Sequence, residues 1–220
     1  MKRSLILILS IVLALSASTL GTLAYLTDED SAVNTLTVGN VQITVDETAV
    51  NTSGEAIQGE PRRQANHYHL IPGVSYTKDP TLTVVKGSSQ AYVRMLVKLD
   101  KYSCIKKIAS LGGDAFALEK LVDNIDSSFW KLQADPTIDE QNDTITFEYR
   151  YYQVVDTSDH DEDVALKPLF NQFIIPSAVT NDELQAIDGM QITVYGHAIQ
   201  AAGFSGESAA WDAFDQETGS

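Results

Sequence analysis

Residues 91–99 read Ala91-Tyr92-Val93-Arg94-Met95-Leu96-Val97-Lys98-Leu99. Ala91, Val93, Met95, Val97 and Leu99 fall on one side of a two-residue period and Tyr92, Arg94, Leu96 and Lys98 on the other, so the stretch predicts a long strand with one buried face. The turn formers Gly87-Ser88-Ser89 precede it. Before them, residues 74–78 and 81–86 predict short strands, separated by Asp79-Pro80, whose proline cannot donate to a sheet ladder. Residues 35–47 add a further strand, with Val41, Ile43 and Val45 alternating against Gln42, Thr44 and Asp46. Residues 48–66 lack either period and predict a loop.

The period changes at Cys104. Ile105, Ile108 and Leu111 predict a short helix ended by Gly112-Gly113, and Asp114 is placed to cap a second one carrying Leu118, Leu121, Val122 and Ile125 on one stripe. Strand patterns return at 128–133 and at 144–155, where Ile145, Phe147, Tyr149 and Tyr151 share a face. After an acidic loop at 156–163, residues 170–175 and 191–200 predict two more strands. Thr180 and Glu183 between them have capping-box spacing. A short amphipathic turn with Trp211 and Phe214 closes the chain. The pattern predicts a mainly β protein, an antiparallel β-sandwich with a helical insertion at about 104–125 and a C-terminal tail at 205–220.

The chain has 220 residues, with 15 Lys+Arg against 30 Asp+Glu, a formal charge of −15. This argues against nucleic acid as a partner, because phosphate binding needs clustered cations and only short pairs such as Arg62-Arg63 and Lys106-Lys107 occur. The single cysteine, Cys104, excludes an internal disulfide and a cysteine-based zinc cluster. At the N-terminus, Lys2-Arg3, the apolar run of residues 5–15 and the small and polar residues 16–22 form the three-part layout of a secretory signal. Thr22-Leu23-Ala24 suits cleavage between Ala24 and Tyr25, which makes residues 1–24 a signal peptide and the mature chain more acidic still. The reading is a secreted protein that meets the membrane only through its uncleaved signal.

Several stretches resemble a known family. Residues 21–28 (GTLAYLTD) and 34–41 (NTLTVGNV) are similar to the signal and mature N-terminus of proteins cut by the SipW type of signal peptidase. Residues 71–80 (IPGVSYTKDP), Tyr92-Val93-Arg94 and residues 192–204 (ITVYGHAIQAAGF) resemble the first hairpin and last strand of the TasA/camelysin family. The resemblance touches both ends of the mature chain and misses most of residues 100–190. It implies a jelly-roll-like sandwich, in the extracellular matrix or at the cell surface, that self-associates into biofilm-type fibres or joins a related matrix subunit. It also implies that residues 25–47 serve as the assembly strand, adding to a neighbour's sheet with Val41, Ile43 and Val45 as the apolar face. The remaining sandwich domain is 48–204. The competing reading is that residues 36–45 complete their own sheet.

Chemistry-bearing motifs are sparse. No His-Glu-x-x-His occurs. His67 and His69, two apart, are the lesser candidates for a metal pair in the camelysin-like protease reading, without the third ligand and base that zinc catalysis needs. Asp159, Asp161 and Asp163 are spaced like the first half of a calcium loop, but Val164 and Phe170 stand where that loop needs Gly and Glu, which leaves only a looser calcium site. There is no Gly-x-Ser-x-Gly elbow and no phosphate-cradling glycine loop. Trp130, Tyr149, Tyr151 and Trp211 could stack on carbohydrate, although aromatics at strand spacing are more often core. No catalytic residue is assigned and no cofactor is expected. The readings are a fibre subunit, an adhesin binding through its loops, and, last, a metal-dependent protease.

Overall fold

A computed structural model describes residues 35–38, 40–123 and 125–218. Eleven strands are present among them. The larger sheet has the order β1 (Thr35–Val38), β11 (Ile192–Gln200), β5 (Ala91–Leu99), β8 (Thr144–Tyr151) and β6 (Trp130–Leu132), with β7 (Thr137–Asp139) also pairing β8. A second sheet has the order β2 (Ile43–Asp46), β4 (Thr81–Val84), β9 (Val164–Ala165), and β3 (Ser75–Thr77) pairs β10 (Gln172–Ile174). β1 runs parallel to β11, whereas every other pairing among the described strands is antiparallel. The fold is mainly β, with a core between sheets.

The alternation of residues 91–99 decides that core. Ala91, Val93, Met95, Val97 and Leu99 are all buried, as are Ile145, Phe147 and Tyr149 on β8. Ile43, Val45, Leu82 and Val84 of the β2–β4–β9 sheet, with Val41 just before it, meet them in one apolar cluster. Full burial of each such side chain stabilises by about 1.5–3 kcal/mol relative to exposure. The two sheets approach closely at Gly196. A Cβ there would run into Val45 Cγ2 and lie 3.0 Å from Leu82 Cδ1, so the absent side chain is what permits the approach.

Four expectations change. Residues 35–47 are two strands on different sheets, because a two-residue period fixes which face is buried and says nothing about which sheet the strand joins. The second helix of the insertion is absent: after α1 (Tyr102–Ile105) come three-residue 3-10 turns at Ala109–Leu111, Gly113–Ala115 and Leu118–Lys120. Gly112 and Gly113 both have positive φ and Phe116 and Ala117 are extended, so no run is long enough to propagate a helix. Asp114 caps nothing, and Ile105, Ile108, Leu111, Leu118 and Leu121 hold the insertion by burial instead. The C-terminal tail contains a twelve-residue helix, α3 (Glu207–Thr218), whose Ala210, Trp211 and Phe214 are buried. β7 and β9 escape sequence reading because a three-residue strand exposed along most of its length and a two-residue strand carry no period. The Thr180 capping box is formed as expected, at the start of α2 (Asn181–Ala186).

Candidate functional site

The outer face of the larger sheet is built from the even-numbered residues of β5 and their cross-strand partners. Three successive rows cross it: His197–Arg94–Arg150, then Tyr195–Leu96–Glu148, then Thr193–Lys98–Thr146–Thr137. α3 covers the first row, packing Ala210, Trp211 and Phe214 on Ile199 with Tyr92 and Phe204 at the margin.

Arg94 therefore lies buried between helix and sheet, at 2% exposure. Both terminal nitrogens of its guanidinium donate to the carboxylate of Asp215, its Nε donates to His197 Nδ1 at 3.2 Å, and Glu148 Oε2 lies 3.6 Å from Nη1. Its Cζ lies over the Trp211 ring, 4.4 Å from the centroid, and 5.0 Å from the centroid of Phe214, within cation–π reach of both. Arg150 Nε donates to Glu148 Oε1 at 2.6 Å, so Glu148 links the two arginines. His197 stacks on Phe214, with ring centroids 5.0 Å apart. Burial first, then the Arg94 charge, pushes the His197 pKa down to about 4 against the opposing pull of Asp215, so the imidazole is neutral.

Beyond the reach of α3 the face is open. Tyr195, Leu96, Glu148, Lys98 and Thr146 floor a groove of about 590 Å³, with Thr137 and, from the β6–β7 connection, Ala134 and Asp135 at its rim and the Arg94 cluster closing one end. Tyr195, Leu96, Lys98, Thr146 and Glu148 are half-buried there. The lining carries hydroxyl, carboxylate, ammonium and phenol groups around a small apolar centre.

The sequence-predicted residues lie elsewhere. Val41, Ile43 and Val45 are buried in the chain's own core, β2 being paired with β4 at Ile43↔Val84 and Val45↔Leu82. His67 and His69 are both exposed on an irregular segment. Asp159, Asp161 and Asp163 are exposed, and Asp163 accepts from the backbone N–H of Lys86 while the Asp161 carbonyl accepts from Lys86 Nζ. No group of three or more His, Cys, Asp or Glu among the described residues could hold a metal ion, so neither candidate set is gathered into a site. Trp130, Tyr149 and Trp211 are buried; Trp130 Nε1 donates to the Lys167 carbonyl at 2.8 Å, and Tyr151 stacks within an aromatic cluster with Phe129, Trp130 and Tyr152. Cys104 is half-buried in α1. The cleavage position Ala24–Tyr25 lies outside the described residues.

No family model, curated protein or solved structure matches the chain. Among the described residues no helix is long and apolar enough to cross a membrane.

Proposed function

We propose that this chain is a secreted structural subunit of an extracellular matrix or cell-surface fibre, without enzymatic activity. In this reading the signal at 1–24 is removed by a signal peptidase of the SipW type, and the freed N-terminal segment adds as a strand to a neighbouring subunit. The observation that carries it is the pairing of β1. Four residues, Thr35–Val38, pair in parallel with Gly196–Ile199 at one edge of a nine-residue strand. A strand at the edge of a sheet pairs on one side only, and a four-residue edge strand is easily exchanged for the same segment of another copy. With Val41, Ile43 and Val45 committed to their own core, the donated segment is 25–38 rather than 25–47.

Electron microscopy and light scattering of protein beginning at Tyr25, compared with protein beginning at Asn40, test the reading. Ordered fibres are expected from the first and monomers from the second. The same fibres from both would overturn it. N-terminal sequencing of the exported form tests the cleavage. One observation favours the adhesin reading beside it, the open groove on the larger sheet.

A further inference from the structure

We propose that the groove on the outer face of the larger sheet binds an oligosaccharide chain free of acidic groups. The inference goes beyond strand addition and does not rest on it, since the groove lies on the sheet's face whereas strand addition uses an edge.

The position of the groove limits what can fill it. A sheet face offers side chains only, its backbone groups being spent on the ladders between β11, β5 and β8. An extended peptide recognised through its main chain needs an edge, and an amphipathic helix needs a continuous apolar trough. Here the apolar floor is limited to Leu96 and the ring of Tyr195, flanked by Lys98, Thr146 and Glu148. A small apolar ligand would leave those polar groups unpaired at a cost. A polyhydroxylated chain satisfies them. Its hydroxyls donate to the carboxylates of Glu148 and Asp135 and exchange hydrogen bonds with Thr146 and Thr137, while the apolar face of a sugar ring lies against Tyr195.

Charge narrows the class. The carboxylates of Asp135, Asp139, Glu148 and Asp215 outnumber the cations Lys98 and Arg94, and Arg94 is already bound to Asp215. An acidic polysaccharide would meet net repulsion in the groove and from a chain of formal charge −15. The volume of about 590 Å³ lies within the range of ligand sites, and the open sides suit a chain that continues past the groove rather than an enclosed small molecule.

Calorimetric titration of the full-length protein with cellohexaose, N-acetylchitohexaose and hexagalacturonate tests the proposal. At least one neutral hexamer should bind with Kd below about 1 mM, and hexagalacturonate at least about tenfold more weakly. Tyr195→Ala should weaken binding about tenfold by removing the stacking ring. Thr137→Arg, at an exposed rim position, should block the groove without touching the core, and it decides the matter if Tyr195→Ala fails to fold. Failure of both neutral hexamers to bind, hexagalacturonate binding as tightly as they do, or binding unchanged by Thr137→Arg would each overturn the assignment.

Discussion

The buried Nε of Arg94 donates to Nδ1 of His197, 3.2 Å away, so the imidazole accepts from a cation and carries its own proton on Nε2. His197 is therefore a neutral structural group whose protonation would set a second positive charge against Arg94. Glu148 and Asp215 face the pair from β8 and α3, and Arg150 lies beyond Glu148.

A pH dependence follows from that contact. The His197 pKa is about 4 in the folded chain and near 6.5 when unfolded. The unfolded state therefore takes up a proton first as pH falls, and stability contributed by the neutral imidazole is complete above about pH 6.5 and lost progressively down to about 4. The loss is at most about 3 kcal/mol. Urea titrations at pH 7, 5.5 and 4 on the parent and on His197→Gln check this. The variant should be the less stable at pH 7, and the gap should narrow as pH falls; a constant gap would show that His197 does not titrate as argued.

Arg94→Ala should release α3. It removes the group that Asp215, His197 and the Trp211 ring all engage, and leaves those partners around a void, which costs about 3–5 kcal/mol for a broken buried pair. Asp215 is about a third exposed, so Asp215→Asn should cost less, about 1–2 kcal/mol. Trp211 fluorescence and limited proteolysis near residues 201–206 report the release. In both variants the chain should be cut there faster than the parent, and faster in Arg94→Ala.

Much of this was legible in the sequence. The two-residue period of 91–99 gave the central strand at its full length, and the strand patterns of 144–155 and 191–200 gave two more long strands, the first ending at Tyr151 rather than Val155, because a sheet buried on one face imposes alternation on long strands. The site was not legible for a related reason. Tyr92, Arg94, Leu96 and Lys98 have the polarity of a solvated face, and only the closing Trp211 and Phe214 hint that something covers part of it. Whether a charged outward residue is solvated or roofed depends on a helix more than a hundred residues away, which local periodicity cannot report. The helical insertion failed for the opposite reason: its apolar residues recur at helical spacing, but the glycines at 112 and 113 turn the backbone before a helix can propagate.

Gly196→Ala tests the close approach of the sheets at this position. Its φ is ordinary, so the substitution costs through sterics alone, and the nearest atom is a branch of a β-branched side chain packed in the core. Overpacking of this kind costs about 1–3 kcal/mol. Val45→Ala makes room, so the double variant should be more stable than the sum of the two single losses predicts, by about 1 kcal/mol. Thermal and urea unfolding of the four proteins check it, and strict additivity would place the clash elsewhere.

A buried ion pair anchors the loop of residues 48–66. Lys78 Nζ lies 2.6 Å from Glu47 Oε2, with both side chains under a tenth exposed, and Asn66 Nδ2 donates both to Glu47 Oε1 at 3.0 Å and to the Thr48 carbonyl at 2.8 Å. Glu47 and Arg63 also exchange backbone hydrogen bonds, so the ion pair is tied to both ends of the loop. On the surface beside it, Arg62 binds Asp46 at 2.5 Å and Asp79 at 2.9 Å, a half-exposed pair whose loss should cost only about 1 kcal/mol or less. The buried pair is different. Lys78→Met alone leaves a buried carboxylate with Asn66 as its remaining side-chain donor, which should cost about 3–5 kcal/mol. Glu47→Leu alone strands the ammonium beside the Tyr68 ring, 6.0 Å away, with a similar loss. The two together remove both charges from a closely packed site and should recover most of the stability, while Asn66 loses one acceptor and the loop one tie. Urea unfolding should therefore rank the parent and the double variant close together and the singles well below. Hydrogen exchange should separate the two stable proteins, with faster exchange across residues 48–66 in the double variant only. A double variant as unstable as the singles would mean that the pair is essential to the fold itself, and unchanged loop exchange would mean that Arg62 and the backbone bridge suffice to hold the loop.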